Sequence, residues 1–116
     1  MNQPNKAILE EANTYISKGE YEQFLSYCTE DTEWIFVGEQ ILRGKDAVRT
    51  YMANTYVEPP KFNVQQSIAE GDFVTVIGKI SLKDQEGRSM EYDYCDVWTF
   101  REGKMAGVKA FVIEAG

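Results

Sequence analysis

Between Glu91 and Arg101 the chain alternates with a period of two: Tyr92, Tyr94, Asp96, Trp98 and Phe100 fall on one side, and Glu91, Asp93, Cys95, Val97 and Thr99 on the other. Only an extended strand sorts residues this way. One face of that strand is four aromatic rings around a single carboxylate. Enclosure by rings disfavours the ionised form of a carboxyl, because the charge loses its water. Asp96 is therefore a protonated donor, a paired structural group, or a group that is not buried. The fold must accommodate one of these three.

The second half of the chain carries more of the same pattern. Strands are predicted over 61–70, 73–83, 89–101 and 104–114, joined by glycine-containing turns at Glu70-Gly71-Asp72, Lys83 to Gly87, and Arg101-Glu102-Gly103. The first half reads differently. Ala7, Ile8, Ala12, Tyr15 and Ile16 mark a helix over 4–18, with Gly19 as its C-cap. A shorter helix follows over 20–28, then a turn at Thr29-Glu30-Asp31 and a strand over 33–37. A return strand at Ile41-Leu42 leads to a third helix over 45–55, which Pro59-Pro60 closes. The order α-α-β-β-α-β-β-β-β is an α+β pattern, and 116 residues predict one domain, 1–116.

Trp34 and Phe36 alternate with Ile35 and Val37, and Phe111 and Ile113 with Ala110 and Val112. Strands apolar on both faces need cover on both faces. Helices supply one cover. A second copy of the sheet in a twofold dimer supplies the other, unless the sheet curls enough to cover itself.

Composition removes several functions. With 19 acidic and 12 basic residues the net charge is −7, which argues against nucleic acid and anionic membranes as partners. No histidine is present, so Ser-His and Cys-His nucleophile systems and most zinc sites are excluded. No glycine-rich phosphate loop appears, and neither a cofactor nor a metal is expected. Glu91, Asp93 and the cluster Glu30, Asp31 and Glu33 read as solvated charges. Met1 to Pro4 carry no signal-type run and no stretch approaches a membrane span, so a cytoplasmic location with reduced Cys28 and Cys95 is expected. A disulfide between the two is the alternative.

Gly19-Glu20-Tyr21, Asp31-Thr32-Glu33-Trp34, Leu42 to Val48 and Val97 to Met105, in that order and spacing, resemble the nuclear-transport-factor-2-like superfamily. The similarity is to its ketosteroid-isomerase and SnoaL-like polyketide-cyclase branch, and it covers nearly the whole chain. It implies a cystatin-like cone, a curved antiparallel sheet wrapped around N-terminal helices, with a pocket at the wide end and dimers through the outer sheet face. The steroid isomerases in that branch imply a carboxylate base on the first strand, a tyrosine on the first helix and a protonated carboxyl on the penultimate strand. Asp96 matches the last. The base position falls near Phe36, and the tyrosine position near Ala12, with Tyr15 one turn further. The Arg-x-Asp of the epoxide-hydrolase relatives does not occur.

Asp96 is thus the expected general acid or oxyanion donor, with Tyr15 as its helper. Trp34, Phe36, Tyr51, Tyr92, Tyr94, Trp98, Val108, Ala110 and Val112 are the expected pocket lining, and Tyr56 is placed at the mouth. Lys109 is expected on the outer sheet. The expected ligand is a small apolar or aromatic molecule. The function expected is binding of that molecule, with an acid-base isomerase or cyclase as its enzymatic form. The alternative is a non-catalytic dimerisation or ligand-carrier domain.

Overall fold

A computed structural model describes residues 4–115. Residues 1–3, whose sequence bears on the absence of a signal-type run, and residue 116 lie outside them. Three helices, α1 (Pro4–Ser17), α2 (Tyr21–Leu25) and α3 (Lys45–Thr55), pack on a sheet of six strands. The strands are β1 (Cys28–Phe36), β2 (Gln40–Arg43), β3 (Lys61–Glu70), β4 (Phe73–Lys83), β5 (Ser89–Arg101) and β6 (Lys104–Glu114). Their spatial order is β2-β1-β6-β5-β4-β3. The last four strands begin and end where the alternation predicts. The sheet is mixed: β1 and β6 run parallel, and every other neighbouring pair is antiparallel.

Helix α1 stops at a glycine for a physical reason. Gly19 has φ 78°, its N–H donates to the Ile16 carbonyl and the Glu20 N–H to the Tyr15 carbonyl. Those two bonds close the helix end in a left-handed cap. Leu9, Ala12 and Ile16 line its buried side.

The segment after α1 departs from the sequence reading. The second helix ends at Leu25 rather than residue 28, and β1 starts at Cys28, so Thr29-Glu30-Asp31 is strand and not turn. Long-range pairing overrides the polar local signal. Cys28 stands opposite Met105, and the Met105 N–H donates to the Tyr27 carbonyl at 2.8 Å. The buried Thr32 hydroxyl donates to the Met105 carbonyl at 3.1 Å. A register shift between Cys28 and Glu33 absorbs the mismatch.

Strand β3 carries a bulge between Val64 and Gln66, opposite Gly78 and Ile77 of β4, and a bulge bends the strand that holds it. A Cβ on Gly78 would sit 2.4 Å from the Asn63 carbonyl oxygen, so the close approach of β3 needs glycine there. The concave face and the helices enclose a core that includes Phe24, Trp34, Val48, Met52, Val74, Trp98 and Met105. The two cysteines are free thiols: Cys28 is buried, and Cys95 lies on the outer face, half-buried. Burial pushes the Cys28 thiol up to about 12, so it is a packed apolar group rather than a nucleophile. No described helix is long and apolar enough to cross a membrane.

Candidate functional site

The inward residues of the sheet form rungs that follow from the register. One rung is Trp34, Val108, Trp98 and Val74; the next is Phe36, Ala110, Asp96 and Val76. Above them come Val112, Tyr94 and Gly78, then Tyr92, Ile80 and Phe62. Val112 points inward yet is 43% exposed, which marks this end as the open one. Phe24, Trp34 and Trp98 close the other end, their rings packed edge-on at 5.9–6.5 Å.

Between the sheet and the helices is a cavity of about 370 Å³, within the range typical of small-molecule sites, about 300–1,000 Å³. Asp96 and all nine expected lining residues border it: Trp34, Phe36, Tyr51, Tyr92, Tyr94, Trp98, Val108, Ala110 and Val112. The small side chain of Ala110, between Phe36 and Asp96 on their rung, leaves that part of the floor low. Tyr56 also borders the cavity, from the end of α3. Its ring packs on Tyr51 at 6.2 Å and on Tyr21 at 5.6 Å.

Tyr15 does not border the cavity. On a helix turning about 100° per residue, α1 presents Asn13 and Ile16 to it, and Tyr15 falls to the side. There its ring packs 6.0 Å from that of Tyr27, with the Lys18 ammonium 5.8 Å from the ring centre. The expectation of Tyr15 as helper to Asp96 is therefore corrected: the α1 group at the cavity is the Asn13 amide. Asn13 and the hairpin residues Glu39 and Gln40 carry no sequence signal for this role, since both segments read as ordinary exposed positions. Val76 and Ile80 were legible in principle, because β4 alternates as regularly as β5. Lys109 lies on the outer face, exposed, as expected.

Asp96 is half-buried as a residue, but its Oδ1 is sealed from solvent and has no hydrogen-bond partner. Desolvation pushes its carboxyl up to about 7. Its field reaches two phenols. Burial, and then the neighbouring Asp96, push Tyr94 up to about 12. Burial, then Tyr51 and Asp96, raise Tyr56 as well. The Trp34 Nε1 is likewise buried without a partner. Buried polar atoms normally find partners, so two orphans on residues of one cavity are an unmet demand. Among the described residues no three His, Cys, Asp or Glu side chains gather as a metal site.

Residues 9–108 match the family model of the SnoaL-like domain. Many solved structures share the fold, among them the following three. SalBIII, an epoxide hydrolase/cyclase-like enzyme of pyran-ring formation in the polyether salinomycin, superposes with a TM-score of 0.85 at 21% identity, covering 93% of this chain and 89% of that one. An NTF2-like protein of unknown function from Burkholderia pseudomallei gives 0.82 at 17% identity, with 94% and 90% covered. TerC, co-crystallised with polyporic acid, gives 0.80 at 19% identity, with 94% and 91% covered. No curated protein matches the chain. The cone, its rungs and the family match agree: the chain belongs to the SnoaL-like domain family and has the fold of the NTF2-like proteins.

Proposed function

We propose that the protein, as one domain, binds a flat, mostly apolar small molecule in the cone and grips one polar atom of it through Asp96. The observation that carries this reading is the unpartnered Oδ1 of Asp96 on a residue bordering an aromatic-lined cavity. A structural carboxyl would have a protein donor, and this one has none. A ligand atom meets the need that the fold leaves open.

The reading favours gripping over proton shuttling. Moving a proton between two carbons needs a base within hydrogen-bond reach of the carbon acid. Phe36 occupies the rung of Asp96, across Ala110, where a second carboxylate would face it. An enzymatic version keeps Asp96 as the lone acid, as in a cyclisation that needs only one carbonyl activated. SalBIII, of the same fold, is cyclase-like, and TerC was crystallised with polyporic acid; both support a small-molecule role.

The outer sheet face is read as the seat of a second copy. Supporting this are the neighbouring rows Ile35, Lys109, Val97, Thr75 and Ile68, and Phe111, Cys95 and Ile77. Phe111, Ile77 and Ile68 are exposed in the single chain.

The test is a thermal-shift and calorimetric screen of planar bicyclic and tricyclic compounds against the wild type and Ala110→Leu. Leu at 110 fills the low part of the floor beside Asp96. Binders are expected to raise the wild-type Tm, since a ligand at a hundred times its Kd adds about 2.7 kcal/mol. They should leave a folded Ala110→Leu unmoved. No binder in the screen, or equal shifts in both proteins, overturns the reading.

A further inference from the structure

The charged side chains that border the cavity are all of one sign. Asp96 lies within it and Glu39 stands at its mouth, and no Lys or Arg borders it among the described residues. Nine of the lining side chains are aromatic. Ring faces carry negative potential and attract cations. Tyr51 links the lining, with its ring 5.1 Å from Phe36, 6.4 Å from Trp34 and 6.2 Å from Tyr56. The chain as a whole carries −7, so its long-range field also draws cations.

On the reading that the cone binds a flat, mostly apolar molecule, we infer that the atom gripped by Asp96 is a protonated amine nitrogen. The ligand class is an aromatic or polycyclic amine. An ammonium on the cavity side of Asp96 supplies what the site lacks: a hydrogen-bond donor and a positive charge for a carboxyl that has neither among the described residues. The rings around it add cation–π attraction, and Glu39 meets the same charge at the entrance. An acidic ligand would find two carboxylates and no cation, which is rejection by like charge. A neutral carbonyl would draw on the protonated carboxyl alone and gain nothing from Glu39 or the ring faces.

The pH dependence follows from the neighbours of Asp96. From β5, Tyr94 faces it, and from the end of α3, Tyr56; both phenols are raised and stay neutral near pH 7. Val76 of β4, Ala110 of β6 and Phe36 of β1 share its rung and do not titrate. Asn13 of α1 and Phe24 of α2 border the same cavity and do not titrate, while Glu39 at its mouth is the other carboxylate. Without ligand, Asp96 ionises at about 7. An amine that needs the carboxylate must displace a proton below that pH, so its affinity falls by up to about tenfold per pH unit. A carbonyl ligand, which needs the proton, shows the opposite slope.

Calorimetry with three matched probes tests this: 2-naphthylmethylamine, 2-naphthylmethanol and 2-naphthoic acid, each at pH 6, 7 and 8. At pH 8 the amine is expected to bind at least about tenfold tighter than the alcohol, consistent with one charge pair in place of a neutral contact. The acid should be the weakest, and the amine should weaken as the pH falls to 6. Asp96→Asn, checked for folding by its melt, should erase the amine's advantage over the alcohol, and a folded variant that keeps that advantage overturns the inference. An alcohol that equals or beats the amine, or an amine affinity that rises as pH falls, overturns the inference and leaves the cavity reading standing. If none of the three probes and no compound of the wider screen binds, the cavity reading falls and takes this one with it.

Discussion

Asp96 holds a buried carboxyl oxygen that no protein donor reaches, and that burial has a stability consequence. Its folded pKa, about 7, is raised above the ordinary 3.8 by desolvation. Between those values the folded protein holds a proton that the unfolded chain has released, so stability falls as pH rises through the window and levels off above about 7. From pH 5 to pH 8 the expected loss is about 2–3 kcal/mol. Asn at this position has no proton to lose. Thermal melts at pH 5, 6, 7 and 8 should show a decline in wild type that Asp96→Asn removes, with the variant the more stable of the two at pH 8. Parallel profiles would mean that Asp96 is solvated in the folded protein. The carboxylates held by arginine, such as Asp31 with Arg101 and Glu22 with Arg49, are shifted the opposite way, lowered by their guanidinium partners.

The β3–β4 hairpin carries one of the sheet's bulges. Its bulge lets β3 fold toward the helices, and Gly78 makes room for the Asn63 carbonyl. Gly78→Ala puts a methyl group 2.4 Å from that backbone oxygen, so the bulge must open. A destabilisation of about 1–3 kcal/mol is expected, measured by urea unfolding. Opening the bulge also flattens the wall that carries Phe62 and Ile80, so ligand affinity should drop in the same variant. A variant with wild-type stability would show that the curl arises elsewhere. The β1–β6 pair works differently. It is parallel, which no hairpin could produce, and it places Trp34 and Phe36 level with Val108 and Ala110.

At the scale of the molecule, one sheet face is covered and the other is not. Phe111, at 40% exposure, and Ile77, at 37%, sit in the same row across Cys95. The Lys79–Asp93 ion pair lies one row beyond, at the stripe's polar edge. Sedimentation at micromolar concentration is expected to show a dimer, and Phe111→Glu to give a folded monomer, because a buried unpaired charge cannot be accommodated between apolar faces. A wild-type monomer at high concentration would remove the second copy from this face.

Much of this was legible in the chain before any tertiary contact was known. Period-two alternation gave β3 to β6 their bounds, because each strand has one face turned to the core and pays for a slip with every side chain. The same alternation put Tyr92, Tyr94, Asp96 and Trp98 on one face. What escaped was whatever depends on partners distant in sequence. Thr29-Glu30-Asp31 is polar and reads as a turn, yet pairing beside Met105 draws it into β1. Tyr15 shares a helix with Ile16, yet only the docking of α1 decides which of its sides meets the cavity. Local sequence thus determined the elements, their order and the enclosed carboxylate. The tertiary structure alone decided that Asp96 has no partner, that Asn13 rather than Tyr15 attends the cavity, and that the charges around it are all negative. Those are properties of the space between elements, and no local pattern encodes them.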